Sequence, residues 1–386
     1  MNDMNNPQNE ILLSVCVAIY NLKEEFLRAC IESLAFELPV DAELILGDDG
    51  SDKKTGDVCR EYENEALRIS YFRQENRGLS AIRNASFKRA KGRYIIFFDG
   101  DDIAPRGFYG CICDALKESL KEYDMVMFRM INFTRNTPQI KAEKTSIADI
   151  SAAAAKQFSK ACITGEPPRT EDYGIVDSST SSGCNKVYRR QFLLDNNLTF
   201  KEGLTKAEDT VFNSRAFFFC KNLGYIPQIL YFYRMNPDSL THKYTPDELS
   251  AIYDCIECDR ENMKLYDNDA DVLEMRKKYK YKLIAYAITE FELNIFHKNN
   301  PVPTEVRREQ FEKFIYTEPF DEFFKTLDFS GYHWNERKLI LKMAAKGKFR
   351  LLDLMYKFPI SFKIYGKAKK IINKKRMMLC KAKHRF

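Results

Sequence analysis

The sequence predicts an α/β protein: a mostly parallel sheet flanked by helices, followed by a helical C-terminal region. Three observations carry this. Strand-like apolar runs alternate with helical patterns four times in about the first hundred residues. Three of those runs end in polar residues, where open α/β sheets place their ligands. From about Thr245 onward the pattern turns helical, with long stretches such as Val272–Phe296.

The elements follow in order. Leu13-Ser14-Val15-Cys16-Val17-Ala18-Ile19 is a first strand ending in Tyr20-Asn21, and Phe26, Leu27, Cys30, Ile31 and Leu34 then recur at helical spacing. Ala42-Glu43-Leu44-Ile45-Leu46-Gly47 is a second strand, stopping in Asp48-Asp49-Gly50-Ser51-Asp52. Ile69–Arg73 is a third, leading through Asn76-Arg77-Gly78 to a helix start around Ala81-Ile82-Arg83-Asn84. Gly92-Arg93-Tyr94-Ile95-Ile96-Phe97-Phe98 has the composition of a buried strand and breaks abruptly into Asp99-Gly100-Asp101-Asp102.

That fourth strand end is the most informative stretch of the chain. Asp-x-Asp at a sharp turn sets Asp99 and Asp101 side by side, near enough to hold one divalent ion with phosphate ligands. Oxygen donors of this kind suit Mg²⁺ or Mn²⁺. On its own the motif reads equally well as a strand-end turn capped by aspartates, because Asp and Gly are common turn formers. Polar clusters at three strand ends together are harder to obtain from turns alone.

Ser14–Asn21, Asp48-Asp49-Gly50-Ser51, Ala81-Ile82-Arg83-Asn84 and Asp99-Gly100-Asp101-Asp102 resemble, in order and spacing, the inverting GT-A glycosyltransferases of family 2. Asn185-Lys186-Val187-Tyr188-Arg189-Arg190, Phe200-x-Glu202-Gly203-Leu204 and Glu208-Asp209-Thr210-x-Phe212-Asn213 look like that family's acceptor-side motif. Tyr231–Leu240 looks like its closing strand and loop. The resemblance covers roughly residues 11–243. It implies a GT-A, Rossmann-like catalytic domain over residues 1–243 and a helical region over 244–386.

The resemblance also implies roles. Asp49 would hydrogen-bond the nucleotide base, with Ala18 and Tyr20 lining the base and ribose pocket. Arg83 would reach the base or the diphosphate. Asp101 would ligate the metal, with Asp99 supporting the ribose or the metal shell. Arg234 and Ser239 would close over the diphosphate, an arginine being the natural bidentate partner of phosphate oxygens. Asp209 would be the general base. It falls at the start of a helix expected over Asp209–Cys220, where acidic residues also serve as caps, and both roles can hold at once. His242 reads as a further metal or phosphate contact or as a plain loop residue. Lys186 reads as a donor or acceptor contact or as surface.

The chemistry agrees with the resemblance. Moving a sugar from a nucleotide diphosphate requires a grip on the nucleotide, neutralisation of the leaving diphosphate, and a base for the acceptor hydroxyl. The expected activity is therefore metal-dependent, inverting transfer from a nucleotide-diphospho-sugar, a UDP-sugar foremost, to a glycan or lipid-linked acceptor in surface-polysaccharide synthesis. A sugar-phosphate nucleotidyltransferase would share the sheet type. It would, however, need a glycine-rich basic loop after the first strand, where this chain has Ala18-Ile19-Tyr20-Asn21-Leu22. A non-catalytic nucleotide-sugar-binding relative is the other alternative, and the joint presence of Asp49, Asp99, Asp101 and Asp209 argues against it.

Composition is compatible. At 386 residues the chain can bury a sizeable core. No run of about eighteen apolar residues is present, and the N-terminus has no secretory pattern. Eleven cysteines, without framework spacing and often inside apolar runs, point to a reducing, cytoplasmic compartment. Cys255-x-x-Cys258 lacks the second pair that a zinc site would need.

Thr134–Thr180 reads as an insertion with an Ala-rich helix near Ile147–Lys160. It would shape an acceptor pocket, act as a lid, or merely pack. After Asp353 no acidic residue follows, whereas eleven lysines and arginines do; without them the chain would hold 50 basic against 55 acidic residues. Interleaved apolar residues make 357–386 a basic amphipathic stretch. It suits peripheral contact with an anionic membrane on its inner face, with no specific nucleic-acid partner.

Overall fold

The computed structural model describes residues 10–235, 243–329 and 335–358. Ser239, His242 and nearly all of the basic stretch 357–386 lie outside the described residues.

Strands β1 (Leu13–Ile19), β2 (Ala42–Asp48), β3 (Ile69–Arg73) and β4 (Tyr94–Asp99) alternate with helices α1 (Glu24–Ala35), α2 (Lys53–Tyr62) and α3 (Leu79–Arg89). Helix α4 (Phe108–Glu118) leads to β5 (Met125–Phe133), β6 (Ala148–Ile150), α5 (Ala152–Thr164), β7 (Lys186–Arg189), α6 (Arg190–Asp195), α7 (Glu208–Phe219) and β8 (Leu223–Arg234). One eight-stranded sheet results, in the order β3-β2-β1-β4-β7-β5-β8-β6. The first four strands are parallel, β7 runs antiparallel to β4 and β5, and β6 is antiparallel to β8.

Period-two alternation explains the layering. Leu13, Val15, Val17 and Ile19 of β1 face one apolar cluster with α1, α2 and α4, while Cys16, Ile45, Ile95 and Phe97 face a second cluster with α5 and α7. Both faces of the sheet are covered, so the central strands read as continuous apolar runs rather than alternating ones. Helix α1 buries Leu27, Cys30, Ile31 and Leu34, the expected stripe without Phe26. The Ala-rich helix begins later than expected: Ile147 and its neighbours lead into the short strand β6, and the Ser151 side chain, accepting from the Ala154 amide, starts α5 at Ala152.

The described residues fall into two compact units, 10–235 with 253–275, and 243–252 with 276–329 and 335–358. Helices α8 (Glu248–Met263) and α9 (Asp269–Lys278) each contain a boundary. In the second unit lie α10 (Lys280–Glu290), a π-turn at Phe291–Ile295, α11 (Thr304–Ile315), α12 (Phe320–Thr326), α13 (Asn335–Ala344) and α14 (Phe349–Lys357). The stretch Val272–Phe296 is thus three helical pieces rather than one. Phe291, Phe296, Phe311, Phe314 and Phe320 form its aromatic core, and buried Arg307 pairs with Asp353 at 2.9 Å. No helix among the described residues is long and apolar enough to cross a membrane.

Candidate functional site

Parallel pairing sets the site. In register, Ala18 lies between Gly47 of β2 and Asp99 of β4, so the C-terminal ends of three strands open on one edge. The Gly100 amide donates to the Ala18 carbonyl at 3.0 Å, and the Asp102 amide closes the turn onto the Asp99 carbonyl at 3.1 Å. Gly100 is required by space: a Cβ there would stand 2.7 Å from Leu22 Cδ1 and 3.0 Å from the Ala18 oxygen.

The turn sorts the carboxylates. Asp102 is fully buried, accepting from the Tyr231 hydroxyl and from the Arg234 amide at 2.7 Å. The Tyr231 hydroxyl also accepts from the Asp99 amide at 3.2 Å, so one tyrosine braces both ends of the turn. Asp99 and Asp101 are only partly buried. Among the described residues no other side chain hydrogen-bonds Asp101, and burial together with the Asp99 charge pushes its carboxyl up to about 6. A carboxylate held next to a second one, its charge only partly offset by a backbone amide and by Arg234, is a seat for a hard divalent cation. With Asp99 it offers the oxygen donors that Mg²⁺ or Mn²⁺ takes, the remaining positions falling to phosphate and water. No cluster of three or more protein ligands is present among the described residues. Arg234 sits beside this turn, its guanidinium between the rings of Phe26 and Phe133 at 4.3 and 4.6 Å and its Nε donating to the Asp101 carbonyl at 2.7 Å.

Arg83 is the hub of the site. It is 1% exposed, and its Nη2 donates to Asp99 Oδ1 at 2.8 Å. Its Nη1 donates to Asp209 Oδ1 and to Glu208 Oε1, the latter at 3.2 Å. The ring of Phe200 lies 5.2 Å from the guanidinium carbon. Burial opposes the charge of Arg83, but Asp209 and Asp99 outweigh it and hold the guanidinium well above its usual range. The sequence reading sent this arginine to the base or diphosphate; the structure commits three of its contacts to carboxylates inside the protein.

Asp209 stands in the first turn of α7, which starts one residue earlier than expected, at Glu208 behind a left-handed Ala207 (φ 55°). Its Oδ2 accepts from the Gly183 amide at 2.8 Å. Burial, then Asp209, pushes the Glu208 carboxyl up to about 7, against the pull of Arg83. Asp99 and Asp209, from β4 and α7, thus meet across one guanidinium.

Asp49 is 2% exposed and holds the loop before α3. Its oxygens accept from Gln74 Nε2 at 2.6 Å and from the amides of Arg77 and Gly78 at 3.1 and 2.7 Å. A carboxylate offers about four acceptor positions, so most of its capacity is taken up within the protein. Beside it an open depression of about 470 Å³ is lined by Gly50, Arg73, Gln74, Glu75 and Asn76. Tyr20 stands half exposed beyond β1, and Ala18 is buried.

Lys186 is neither surface nor an open contact. It is wholly buried in β7, donating to the carbonyls of Ser179 and Ser182 and to Asn185 Oδ1. Cys255 Sγ donates to the Lys206 carbonyl at 3.3 Å. The sequence reading missed the parts played by Asp102, Tyr231 and Gly183. Tyr231 was discoverable, because alternation along Tyr231-Phe232-Tyr233-Arg234 puts Tyr231 and Tyr233 on the face opposite Phe232.

A Rossmann-like sheet whose fourth strand ends in Asp-x-Asp, with Asp209 on a helix start beyond it, defines the GT-A class of nucleotide-diphospho-sugar transferase folds. Residues 14–194 match the family model "Glycosyl transferase family 2". The uncharacterized glycosyltransferase EpsJ of Bacillus subtilis strain 168 is 30% identical over 235 residues, 60% of this chain and 63% of EpsJ. A poly(ribitol-phosphate) beta-glucosyltransferase of Bacillus spizizenii is 24% identical over 244 residues, 61% of this chain and 34% of that protein. The match therefore spans less than two thirds of these relatives' length. Among solved structures, S. aureus TarS 1-349 in complex with UDP-GlcNAc superposes with a TM-score of 0.57 at 20% identity, covering 90% of this chain and 91% of TarS 1-349.

Proposed function

We propose that this chain is a metal-dependent inverting glycosyltransferase that moves a sugar from a UDP-sugar to a hydroxyl of a glycan or lipid-linked acceptor in surface-polysaccharide synthesis. The observation that carries the reading is the Arg83 bridge, which brings Asp209 and the Asp99–Asp101 turn to one place. The UDP-GlcNAc held by the TarS neighbour supports the donor class. The name of the Bacillus spizizenii relative supports a cell-surface polymer as acceptor.

In this reading the donor's base sits by Tyr20 and the loop that Asp49 holds, and its diphosphate lies over the turn at Asp99–Asp102 near Arg234. Mg²⁺ or Mn²⁺, held by Asp101 and Asp99, would neutralise charge developing on the leaving diphosphate. Asp209 takes the proton of the acceptor hydroxyl as its oxygen attacks the anomeric carbon. The bond from that carbon to the diphosphate oxygen breaks, and an α-linked donor yields a β-linkage. Arg83 aims Asp209, its guanidinium fixing Oδ1 while the Gly183 amide fixes Oδ2. The basic stretch 357–386 supports peripheral contact with an anionic membrane face, where a lipid-linked acceptor would lie.

The test is nucleotide release from a panel of UDP-, GDP-, CMP- and TDP-sugars with Mn²⁺, Mg²⁺ or EDTA, for wild type and Asp101→Ala. Metal-dependent release from one donor, absent in the variant, is the expected result. Silence across the panel together with no nucleotide binding would contradict the proposal.

A further inference from the structure

The segment Ser178–Gly183 is held from below by buried side chains to an unusual degree. Every carbonyl from Ser179 to Ser182 points inward to a donor. Lys186 Nζ takes Ser179 at 2.8 Å and also Ser182, Cys162 Sγ takes Thr180 at 3.7 Å, and Asn213 Nδ2 takes Ser181 and Ser182 at 2.9 and 3.0 Å. Asn213 is itself fixed by the Tyr188 hydroxyl at 2.8 Å, and Lys186, Asn213 and Tyr188 are all wholly buried. The loop's next amide, Gly183, is the one that donates to Asp209 Oδ2 at 2.8 Å.

Lys186 is chemically odd in this setting. Its three acceptors are two carbonyls and an amide oxygen, with no carboxylate among them. A buried ammonium without a direct counter-ion is costly, and burial draws it down to about 8, with Asp209 among the charges that hold it up. Methionine would fill a similar volume at lower cost, so packing alone does not account for a lysine here.

We infer that Lys186 is a positioning residue for Asp209: it folds the serine loop so that the Gly183 amide grips the carboxylate, and it places a fixed positive charge behind it. The inference rests on the reading of Asp209 as general base. Asp209 is then held on two sides, by Arg83 through Oδ1 and by the loop through Oδ2. Gly183 is part of the device, since a Cβ there would stand 2.9 Å from Asp209 Oδ1 and 3.2 Å from its Cγ.

The experiment compares full-length wild type, Lys186→Met, Gly183→Ala and Asp209→Asn. It measures amide deuterium exchange over 179–185, UDP affinity, and kcat and KM with the donor that the panel yields. Lys186→Met is expected to speed exchange in the loop by about tenfold. It should lower kcat by about a hundredfold, the cost of a misplaced group, and leave UDP affinity and KM within about threefold. Gly183→Ala keeps the lysine and guards against a folding failure in the first variant; it is expected to show the same kcat loss with UDP affinity intact. Wild-type kcat in both variants, with Asp209→Asn inactive, would overturn the role of Lys186 alone. Parallel loss of UDP affinity and kcat in both would also overturn it, as a general structural effect. Turnover in Asp209→Asn would overturn the base assignment itself.

Discussion

Arg83 and Asp209 lie 126 residues apart in sequence and share an ion pair in which the guanidinium is fully buried and the carboxylate is 22% exposed. The same guanidinium pairs with Asp99 at 2.8 Å and Glu208 at 3.2 Å, so a single cation is shared among three acids. Arg83→Met would leave those acids uncompensated and is expected to cost about 3–5 kcal/mol of stability, by denaturant unfolding. Arg83→Lys keeps a charge but loses the planar fork, so it should regain much of the stability and little of the turnover. Full turnover in Arg83→Lys would contradict a geometric role.

Asp101 trades stability for function in this account. Its carboxyl is raised to about 6 by burial and then by Asp99, so between about 4 and 6 the folded state binds a proton that the unfolded state has lost. This group's contribution therefore declines as pH rises through that window and is unfavourable at neutral pH. Asp101→Asn should raise stability at pH 7.5 by about 1–2 kcal/mol after allowing for its partial exposure. It should also abolish the Mn²⁺-induced rise in Tm, and in wild type that rise should fade below pH 6. Lower stability of Asp101→Asn at pH 7.5 would count against this picture.

In the proposed reaction Asp49 acts on the nucleotide through the loop it holds. Asp49→Asn replaces one acceptor oxygen with a donor facing amides that already donate, so about 1–3 kcal/mol of local stability should be lost. Deuterium exchange over residues 74–78 should rise and UDP binding weaken together. Weakened binding with an unchanged loop would instead mean direct contact with the base.

The first four strands and their order of ligand-bearing ends were readable because each strand has its own length, its own apolar run and its own polar stop. Asp99, Asp101 and Asp209 stood out through the order and spacing of the motifs that carry them, since an acid at a strand end or helix start also serves as a turn former or cap. Arg83 was visible as a residue but not as a hub: its partners come from β4 and α7, and nothing local in Ala81–Asn84 encodes them. Lys186 was unreadable for a similar reason. A lysine is normally exposed, and only the three-dimensional course of Ser178–Gly183 supplies the carbonyls that allow it inside.

The basic C-terminal stretch makes a prediction of its own. Removing residues 359–386 should abolish co-sedimentation with anionic vesicles while leaving nucleotide release in solution within about twofold. Equal vesicle binding by the full and shortened chains would end the membrane proposal without touching the site.

The measurement that bears most directly on the whole account is Asp209→Asn, assayed for sugar transfer and for UDP binding in the same preparation. The account predicts that transfer falls by about a thousandfold or more, while UDP affinity stays within a few-fold of wild type. Transfer at the wild-type rate would show that another group takes the proton, and the site as described would be wrong.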